Sequence, residues 1–374
     1  MSFQSNTILV ALELSNTLWF VGTRLPGAQK SCMHRIKAGD TTALLTVIGE
    51  LRSRQSVVSG CSSTLACCFE AGRDGFWLHR LLTAHEIPTY VVEPTSILVN
   101  RRAKRAKTDR LDAEGLLRVL AGYLAGDHQI CSMVRVPTPA EEDGKRVHRE
   151  REYLVQERTR IENRMLALLA TQGVRSRPSL RSWERDMASL KTGDGRMLPS
   201  RLTAELNRLR RRLGLVLEMI RELDTEREEF LAATPDDAIA AKITALRGIY
   251  GVGDNFAAVL VREIFYRTFG NRKQLASYVG LAPMPHQSGS IDRDRHIGRA
   301  GNARARKTLV QMAWLWLRYQ PTSELSAWFR QRVGELQGRT RRIAIVAMAR
   351  KLLIALWRFT ETGEVPTGIV FRTA

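Results

Sequence analysis

The sequence is poor in cysteine and has no long apolar run. Its five cysteines are odd in number and form no CxxC pair, which argues against a disulfide framework and a zinc site. We expect buried thiols in a reducing compartment. No run of about 18 apolar residues is present, and residues 1–7 lack the apolar core of a signal peptide. These absences predict a cytoplasmic protein.

Internal repeats, low-complexity tracts and metal-ligand spacing of histidines are also missing. What is abundant is positive charge, with a net charge of +20 and a pI of about 10.5. Such an excess attracts polyanions, and nucleic acid is the default partner of a chain this basic. A ribosomal-type or purely structural binder would carry the same charge, so charge alone does not indicate catalysis.

Short apolar segments in the first third of the chain alternate with helical ones. The segments 8–12, 18–21, 64–69 and 89–92 are predicted strands, and 76–85 and 109–123 are predicted helices. This alternation predicts a mixed α/β domain over 1–135.

Beyond Pro137 and Pro139 the composition shifts to helix formers rich in Arg and Glu. Apolar residues recur at heptad spacing in two stretches, 147–168 and 202–223. We predict a coiled-coil region over 140–234, paired either as an antiparallel hairpin or between subunits. Residues 238–374 are predicted to form a mostly helical, basic C-terminal domain, with Trp314, Trp316, Trp328 and Trp357 in its core.

Four acidic residues stand out by position. Glu13 and Glu70 end predicted strands, and Asp109 and Asp112 share a face at the start of a helix. Carboxylates so placed can meet at one sheet edge and hold Mg²⁺, which prefers oxygen ligands. Each has a simpler explanation. Asp109 can favour the helix dipole, and Glu70 can cap a turn. Asp112 can pair with Arg105, Lys107 or Arg110.

The stretch from Arg101 to Ala113 contains Lys-Thr-Asp-x-x-Asp-Ala, and here the chain resembles the DEDD-type transposases of bacterial insertion sequences, which are bridge-RNA-guided recombinases. The segments 68–72 and 10–15 resemble the carboxylate segments of that family, and 278–283 with 287–289 resemble its C-terminal motif. The resemblance covers nearly the whole chain. It departs from the family at Glu13, where Asp is usual.

The resemblance implies a RuvC-like domain of the RNase H fold, followed by the helical linker and a C-terminal transposase domain. Glu13, Glu70, Asp109 and Asp112 would bind metal, and two Mg²⁺ ions are expected. It also implies a serine nucleophile at Ser288, with Ser290 as a rival, and a covalent phosphoserine link to DNA. The composite active site would join two subunits of a homo-oligomer, a dimer or a tetramer, associated with the nucleoid when active.

Two further features indicate nucleic-acid binding. Gly251 and Gly253 precede a helical run in a segment that is typical of a helix-hairpin-helix turn, where backbone N–H groups can approach a phosphate; a plain turn between packed helices explains them equally well. Two basic runs flank the proposed catalytic segments. Their members are Arg101, Arg102, Lys104, Arg105 and Lys107, and then Arg293, Arg295, Arg299, Arg304, Arg306 and Lys307.

Our first hypothesis is a magnesium-dependent transposase that binds donor and target DNA and a structured guide RNA. If RNA pairing supplies the sequence information, the protein needs few side chains that read bases. A nuclease or resolvase of the RNase H fold, with Ser288 only structural, is the second hypothesis. A non-catalytic nucleic-acid-binding scaffold is the third.

Overall fold

The computed structural model of the protein describes residues 6–60, 64–72, 74–97, 108–288, 291–298, 300–335 and 337–373. It divides into two compact units, Met1–Thr138 and Pro139–Ala374. The predicted coiled-coil region and the predicted C-terminal domain both lie in the second unit. No helix in the described ranges is long and apolar enough to cross a membrane.

The first unit is built on one five-stranded sheet. Its elements are β1 (Thr7–Glu13), β2 (Leu18–Arg24), β3 (Cys32–Lys37), α1 (Thr41–Ser59), β4 (Thr64–Glu70), α2 (Trp77–Ala84), β5 (Thr89–Val92) and α3 (Asp109–Leu124). The strand order is β3-β2-β1-β4-β5. β2 is antiparallel to β1 and β3, whereas β4 is parallel to both β1 and β5. This mixed sheet fits an RNase H-like fold, and the predicted α/β class is confirmed.

Strand alternation distributes the apolar residues of β1 and β4 to two sides of the sheet. Ile8, Val10 and Leu12 pack in one cluster with residues of α1 and α2. Leu9 and Ala11 belong to a second cluster, which contains the buried face of α3. The sheet is therefore covered by helices on both faces, and strands β1 and β4 are almost wholly buried.

The second unit begins with the short helix α4 (Pro139–Asp143), which is followed by a helical hairpin. We define this helical hairpin as α5 (Arg146–Ala170), the connection 171–199 and α7 (Ser200–Ala233). The connection contains one further short helix, α6 (Trp183–Ser189). The predicted heptad residues form the seam, with Leu154, Ile161, Leu206 and Leu213 buried. The helices pair antiparallel within one chain, as the cross-helix pairs Arg164–Glu205 and Arg151–Asp224 show. The sequence left open whether the heptad helices pair as an antiparallel hairpin or between subunits. These two helices pair with each other as an antiparallel hairpin.

The remaining helices of the second unit surround a large apolar core. They are α8 (Ala238–Arg247), α9 (Asp254–Leu260), α10 (Arg272–Val279), α11 (Ala303–Tyr319), α12 (Glu324–Val333) and α13 (Arg339–Thr362). A π-helical turn, Val261–Phe265, continues α9. Strands β6 (Pro283–Ser288) and β7 (Ile291–Ile297) form an antiparallel hairpin between α10 and α11. The expected, mostly helical, C-terminal region is confirmed.

Two sequence-based expectations about buried side chains are wrong in part. Trp316 is buried in the core and Trp328 and Trp357 pack against it, but Trp314 is 37% exposed. Two residues of a helix that are two positions apart point about 200° apart, so Trp314 and Trp316 cannot share one core. Among the thiols, Cys67, Cys68 and Cys131 are buried as expected, whereas Cys32 is exposed because it begins edge strand β3.

Candidate active site

Glu13 and Glu70 lie side by side at one edge of the sheet. They are the last residues of β1 and β4, which are parallel neighbours with Leu12 paired to Phe69. Alternate residues of each strand, Leu9 and Ala11 in β1 and Ala66 and Cys68 in β4, pack against α3. Glu13 and Glu70 are the next residues in these two alternating series, so they lie on the same face of the sheet. The carboxyl ends of the two strands therefore bring these acids to the same edge and the same face of the sheet.

A cleft of about 130 Å³ opens at this edge. Glu13, Glu70 and Asp74 line it together with Gly72 and Gly75. Because a water molecule occupies about 30 Å³ in the liquid, the cleft has room for an ion and a few waters. The sequence analysis did not single out Asp74, although it lies in the turn between Gly72 and Gly75 that follows Glu70.

Asp109 and Asp112 lie in the first turn of α3, which Thr108 caps by accepting a hydrogen bond from the Leu111 N–H at 3.3 Å. Asp109 is exposed and Asp112 half-buried. Arg110, one suggested partner of Asp112, pairs instead with Glu114 at 3.2 Å. Arg105 and Lys107, the other suggested partners, lie outside the described residues.

The structure thus brings Glu13 and Glu70 into one cleft and places Asp109 and Asp112 on the helix that covers the same face of the sheet. The two aspartates are not among the residues that line the cleft. Within the described ranges, no group of three or more His, Cys, Asp or Glu side chains is arranged to hold a metal ion. The four carboxylates remain a predicted metal-binding set.

Ser288 is the last residue of β6 and pairs with Ile291 of β7 at the end of the β-hairpin. Ser290 lies outside the described residues, in the connection between these strands. At the root of the hairpin, Gly280 has φ +71° and its Cα lies against the carbonyl of Ala300, which leaves no space for a side chain. The hairpin that carries Ser288 is therefore closely packed at its root.

The predicted nucleic-acid-binding residues are only partly described. Arg101, Arg102, Lys104, Arg105, Lys107 and Arg299 lie outside the described residues, and Arg293 and Arg295 are located only as backbone positions of β7. Gly251 has φ +85° and packs against the ring of Tyr319, and Gly253 is the N-cap of α9. A packing requirement therefore explains Gly251 by itself, while phosphate binding at this turn stays a prediction.

Three cations of the second basic run have structural partners. Arg304 and Lys307 contact the carboxylate of Glu152 on α5, at 2.5 and 3.0 Å. Arg306 donates to the carbonyl of Val279 at 3.0 Å. These three side chains therefore have internal acceptors, and their contact with phosphate stays a prediction.

A carboxylate that the sequence analysis did not single out is the most buried acid described here. Glu263, on the π-helical turn, is 1% exposed. Its carboxylate accepts hydrogen bonds from His148 Nε2 at 2.9 Å and from Arg149 Nε and Nη2 at 2.7 and 2.9 Å. Asn302 Nδ2 donates at 2.9 Å. The signal in the sequence was an acid within the apolar run 257–265.

This network joins three segments of the second unit. His148 and Arg149 belong to α5, and Asn302 caps α11 by accepting from the Ala305 N–H at 3.0 Å. The Tyr278 hydroxyl donates to the Glu263 carbonyl at 3.1 Å, and the Asn302 N–H donates to the Tyr278 carbonyl at 2.8 Å. Both chain segments that lead into the Ser288 hairpin are therefore tied to Glu263.

The buried groups have shifted pKa values. Burial alone would raise the pKa of Glu263, but hydrogen bonds from His148, Arg149 and Asn302 and the charge of Arg149 outweigh it and hold the pKa well below the usual range. Burial lowers the pKa of His148, and the Glu263 carboxylate opposes this only in part. We conclude that Glu263 is ionised and His148 neutral at pH 7.

Comparison with known proteins shows which family this chain belongs to. A model of a DEDD transposase of the IS110 type matches residues 40–172, and a model of the transposase IS116/IS110/IS902 family matches residues 243–326. The y4rJ protein of Sinorhizobium fredii, itself a predicted transposase, is 44% identical over 98% of this chain and 95% of its own length. The chain belongs to the IS110/IS116 family of transposases.

More distant relatives agree with this assignment. The transposase of insertion sequence element IS1111A from Coxiella burnetii is 26% identical over 83% of this chain and 80% of its own length. The transposase of IS1328 from Yersinia enterocolitica is 26% identical over 70% of this chain and 74% of its own length. The ranges matched by the two family models include Glu70, Asp109, Asp112 and Ser288, but not Glu13. The case for Glu13 therefore depends on its position beside Glu70.

Proposed function

We propose that this IS110/IS116-family transposase moves an insertion sequence by magnesium-dependent cleavage and rejoining of DNA, guided by a bridge RNA. The observation that carries the proposal is the pairing of Glu13 and Glu70 at the carboxyl ends of two parallel strands, lining one cleft in a chain of this family. In this proposal the first unit is a RuvC-like domain.

The residues at the cleft suit a hard cation. Mg²⁺ is usually held by one or two carboxylates together with waters and substrate phosphates, because it gives up its own waters reluctantly. Glu13 and Glu70 would supply such a pair, and Asp109 and Asp112 would complete the set. When bound, one or two Mg²⁺ ions would stabilise charge on the scissile phosphate and on the leaving oxygen.

Ser288 is the proposed nucleophile. A serine hydroxyl is weakly nucleophilic unless it is activated. Its oxygen would form a bond to phosphorus while the bond from phosphorus to the DNA oxygen breaks. The hydroxyl proton would pass to solvent, and the departing DNA oxygen would take up a proton from solvent, so the step is balanced. The phosphoserine ester conserves the energy of the broken bond, so the reverse transfer to a new DNA end needs no ATP. The position of Ser288 at the end of a β-hairpin with a packed root supports this role.

Guide RNA and DNA would be bound chiefly through their backbones. The basic residues 101–107 beside Asp109, the turn at Gly251 and Gly253, and Arg293, Arg295 and Arg299 near Ser288 are the proposed contacts. If the active site combines the carboxylates of one subunit with Ser288 of another, the enzyme acts as a homo-oligomer. The net charge of +20 supports the nucleic-acid part of the proposal.

Strand exchange between a donor and a target plasmid, with the flanking RNA of the element, tests the chemistry. Under the proposal, Ser288→Ala abolishes the covalent protein–DNA adduct and Asp109→Ala abolishes cleavage, while Ser290→Ala leaves both intact. An adduct that survives Ser288→Ala overturns the serine assignment. Cleavage that persists in Ser288→Ala but not in Asp109→Ala points to a nuclease or resolvase.

A non-catalytic nucleic-acid scaffold is the second candidate. Glu13 in place of the usual Asp favours it, as does the lack, within the described ranges, of any three-residue group arranged to hold a metal. A protein that binds DNA and RNA but shows no metal-dependent cleavage under any tested condition would favour the scaffold over the enzyme.

A further inference from the structure

Positive charge is concentrated at one end of the helical hairpin. Between residues 158 and 212, which we call the hairpin tip, fourteen Lys and Arg face five Asp and Glu. Between 213 and 229, which we call the hairpin base, two Arg face six Asp and Glu. The two ends of one structural element therefore have opposite charge, and the tip contributes a large part of the net charge of the chain.

A groove between α5 and α7 borders this tip. Its volume is about 290 Å³, close to the lower limit of about 300 Å³ for small-molecule sites. The floor is apolar and the walls carry guanidinium groups. The floor consists of Ile161 and Leu209. The other lining residues are Tyr153, Arg160, Arg164, Arg212 and one acid, Glu157.

Two cross-helix ion pairs flank the middle of the groove. Arg164 pairs with Glu205 and Arg212 pairs with Glu157 at 3.1 Å. Arg160 lies between Glu157 and Arg164 on α5, and Arg208 lies between Glu205 and Arg212 on α7. Residues three or four apart share a helix face, so Arg160 and Arg208 face the same side of the hairpin as these pairs.

Neither Arg160 nor Arg208 is neutralised. Both are exposed, and no carboxylate in the described part of the chain lies within ion-pair distance of either one. The two cations repel each other as well as the neighbouring arginines. A bound anion would relieve that repulsion, and guanidinium groups are well suited to phosphate because their planar N–H donors can form two parallel hydrogen bonds.

Tyr153 adds an aromatic surface to the same groove. Its side chain is 64% exposed, which is unusual for an aromatic ring beside an apolar floor. An exposed ring among arginines is the combination that binds unpaired nucleotides, because the base stacks on the ring while cations hold the phosphates. A duplex keeps its bases stacked on each other and offers Tyr153 no open base face.

We propose that this groove binds unpaired nucleotides of a single-stranded nucleic acid segment, with one base stacked on Tyr153 and phosphates held by Arg160 and Arg208. The proposal goes beyond the function proposed above, because strand cleavage and rejoining do not require the hairpin to bind anything. It also assigns a role to part of the segment 173–242, which lies outside both family matches.

The test measures binding of the full chain to fluorescein-labelled probes by anisotropy over a range of salt concentrations. The probes are a single strand of about a dozen uridines, the matching thymidine strand and a DNA duplex of equal length. Tyr153→Leu should weaken single-strand binding about tenfold and leave duplex binding unchanged, and Tyr153→Phe should bind like the native chain. Comparing the uridine and thymidine strands shows whether RNA or DNA is preferred.

Arg160→Ala/Arg208→Ala should lower the salt dependence of single-strand binding. Two lost phosphate contacts correspond to a decrease of about 1.4 in the slope of log affinity against log salt, at about 0.7 per contact. Arg221→Ala/Arg330→Ala removes the same charge elsewhere and serves as the matched control, expected to change the slope less. All these residues are exposed, so circular dichroism should show unchanged folding.

Photocrosslinking locates the bound strand on the protein. This is needed because binding to other basic surfaces of the chain would also change the anisotropy. A strand that contains 4-thiouridine should crosslink to a peptide spanning Tyr153. The proposal is overturned if Tyr153→Leu and Arg160→Ala/Arg208→Ala both bind single strands like the native chain and no crosslink maps to α5. It also fails if the substitutions affect only duplex binding, or only self-association, since the groove would then hold duplex DNA or the acidic base of another copy.

Discussion

The carboxylates of the two units occupy opposite environments. Glu13 and Glu70 end parallel strands at an open cleft. Glu263, in contrast, is buried and accepts hydrogen bonds from the imidazole of His148, the guanidinium group of Arg149 and the amide of Asn302. An acid that must receive a metal and a phosphate has to keep access to solvent. An acid that fixes the packing of helices must have its charge compensated inside the protein, because an unpaired buried charge is costly.

Burial, and not charge alone, distinguishes the proposed metal-binding carboxylates Glu13 and Glu70 from the structural carboxylate of Glu263. Glu263 would attract attention in a search for perturbed acids, since hydrogen bonds from His148, Arg149 and Asn302 and the charge of Arg149 hold its pKa well below the usual range. Its carboxylate is nevertheless buried, and its oxygens accept hydrogen bonds from His148, Arg149 and Asn302. Substitutions at the two places should therefore have different effects on activity and on stability.

The largest expected effect is on activity at the open cleft. Glu70→Gln should lower strand exchange by roughly a thousandfold, because losing a metal ligand removes several kcal/mol of charge stabilisation in the transition state. The thermal midpoint should hardly change, since the side chain is not buried. Plasmid strand exchange and differential scanning calorimetry measure the two quantities. Glu50→Gln, at an exposed glutamate of α1, is the matched control and should retain full activity.

The second effect is on stability in the second unit. Glu263→Gln should lower the free energy of unfolding by about 3 kcal/mol, because it leaves buried donors without a charged acceptor. Urea unfolding followed by circular dichroism measures this. Glu364→Gln removes a glutamate from an exposed ion pair with Arg358 and should cost less than about 1 kcal/mol. Equal losses in both variants would contradict the structural role of Glu263.

The third prediction concerns pH. The folded pKa of Glu263 lies below the ordinary 4.5, so the unfolded chain binds more protons at low pH and the stabilisation is lost as pH falls below about 4.5. The stability difference between the native chain and Glu263→Gln should therefore shrink as pH falls below about 4.5. Unfolding in urea at a series of pH values provides the measurement. A difference that grows as pH falls below about 4.5 would reverse the sign and refute the network of Glu263.

His148 should affect the pH dependence of stability at a higher pH than Glu263 does. Its folded pKa lies below the ordinary 6.5, so the unfolded chain gains a proton first and stability falls as pH drops below about 6.5. His148→Gln should reduce this pH dependence between about 6.5 and 5. The same unfolding series tests it, with His85→Gln as a control on an exposed histidine. An identical pH slope in the native chain and His148→Gln would contradict the prediction.

The smallest effect belongs to the surface of the helical hairpin. Glu205→Gln breaks the pair with Arg164, whose side chain is 62% exposed, and should change the free energy of unfolding by less than about 1 kcal/mol. Leu206→Ala, one position later and in the buried seam, should cost about 2–5 kcal/mol. Urea unfolding compares the two variants directly. A loss at Glu205 as large as that at Leu206 would contradict this ranking of ion pair and seam.

Most elements of the first unit could be predicted from the sequence because their signals are local. The apolar runs at 8–12 and 64–69 and the acids that follow them indicate strands that end in carboxylates. β3 was missed because Cys32–Lys37 mixes polar and apolar residues on a half-buried edge strand. α1 was also missed, although Asp40 caps it by accepting from the Ala43 N–H at 2.9 Å.

The candidate site was predictable only in part. That Glu13 and Glu70 end strands follows from the sequence, but that their strands are adjacent and parallel does not. Asp74 was overlooked because an acid in a Gly-rich turn is common. The sequence also did not predict the contacts of Glu152 with Arg304 and Lys307. These residues are 152 and 155 positions apart in the chain, so no local pattern connects them.

The sequence by itself determined the charge of the chain, the two heptad seams, most of the strands of the first unit, and which carboxylates follow buried strands. These follow from side-chain chemistry and from periods of two and three to four residues, which operate within a few positions. Only the tertiary structure decided that the heptad helices pair within one chain and that Glu263 meets His148 and Arg149. Such pairings depend on which surfaces become buried together, and that is set by the packing of the whole unit and not by any local stretch.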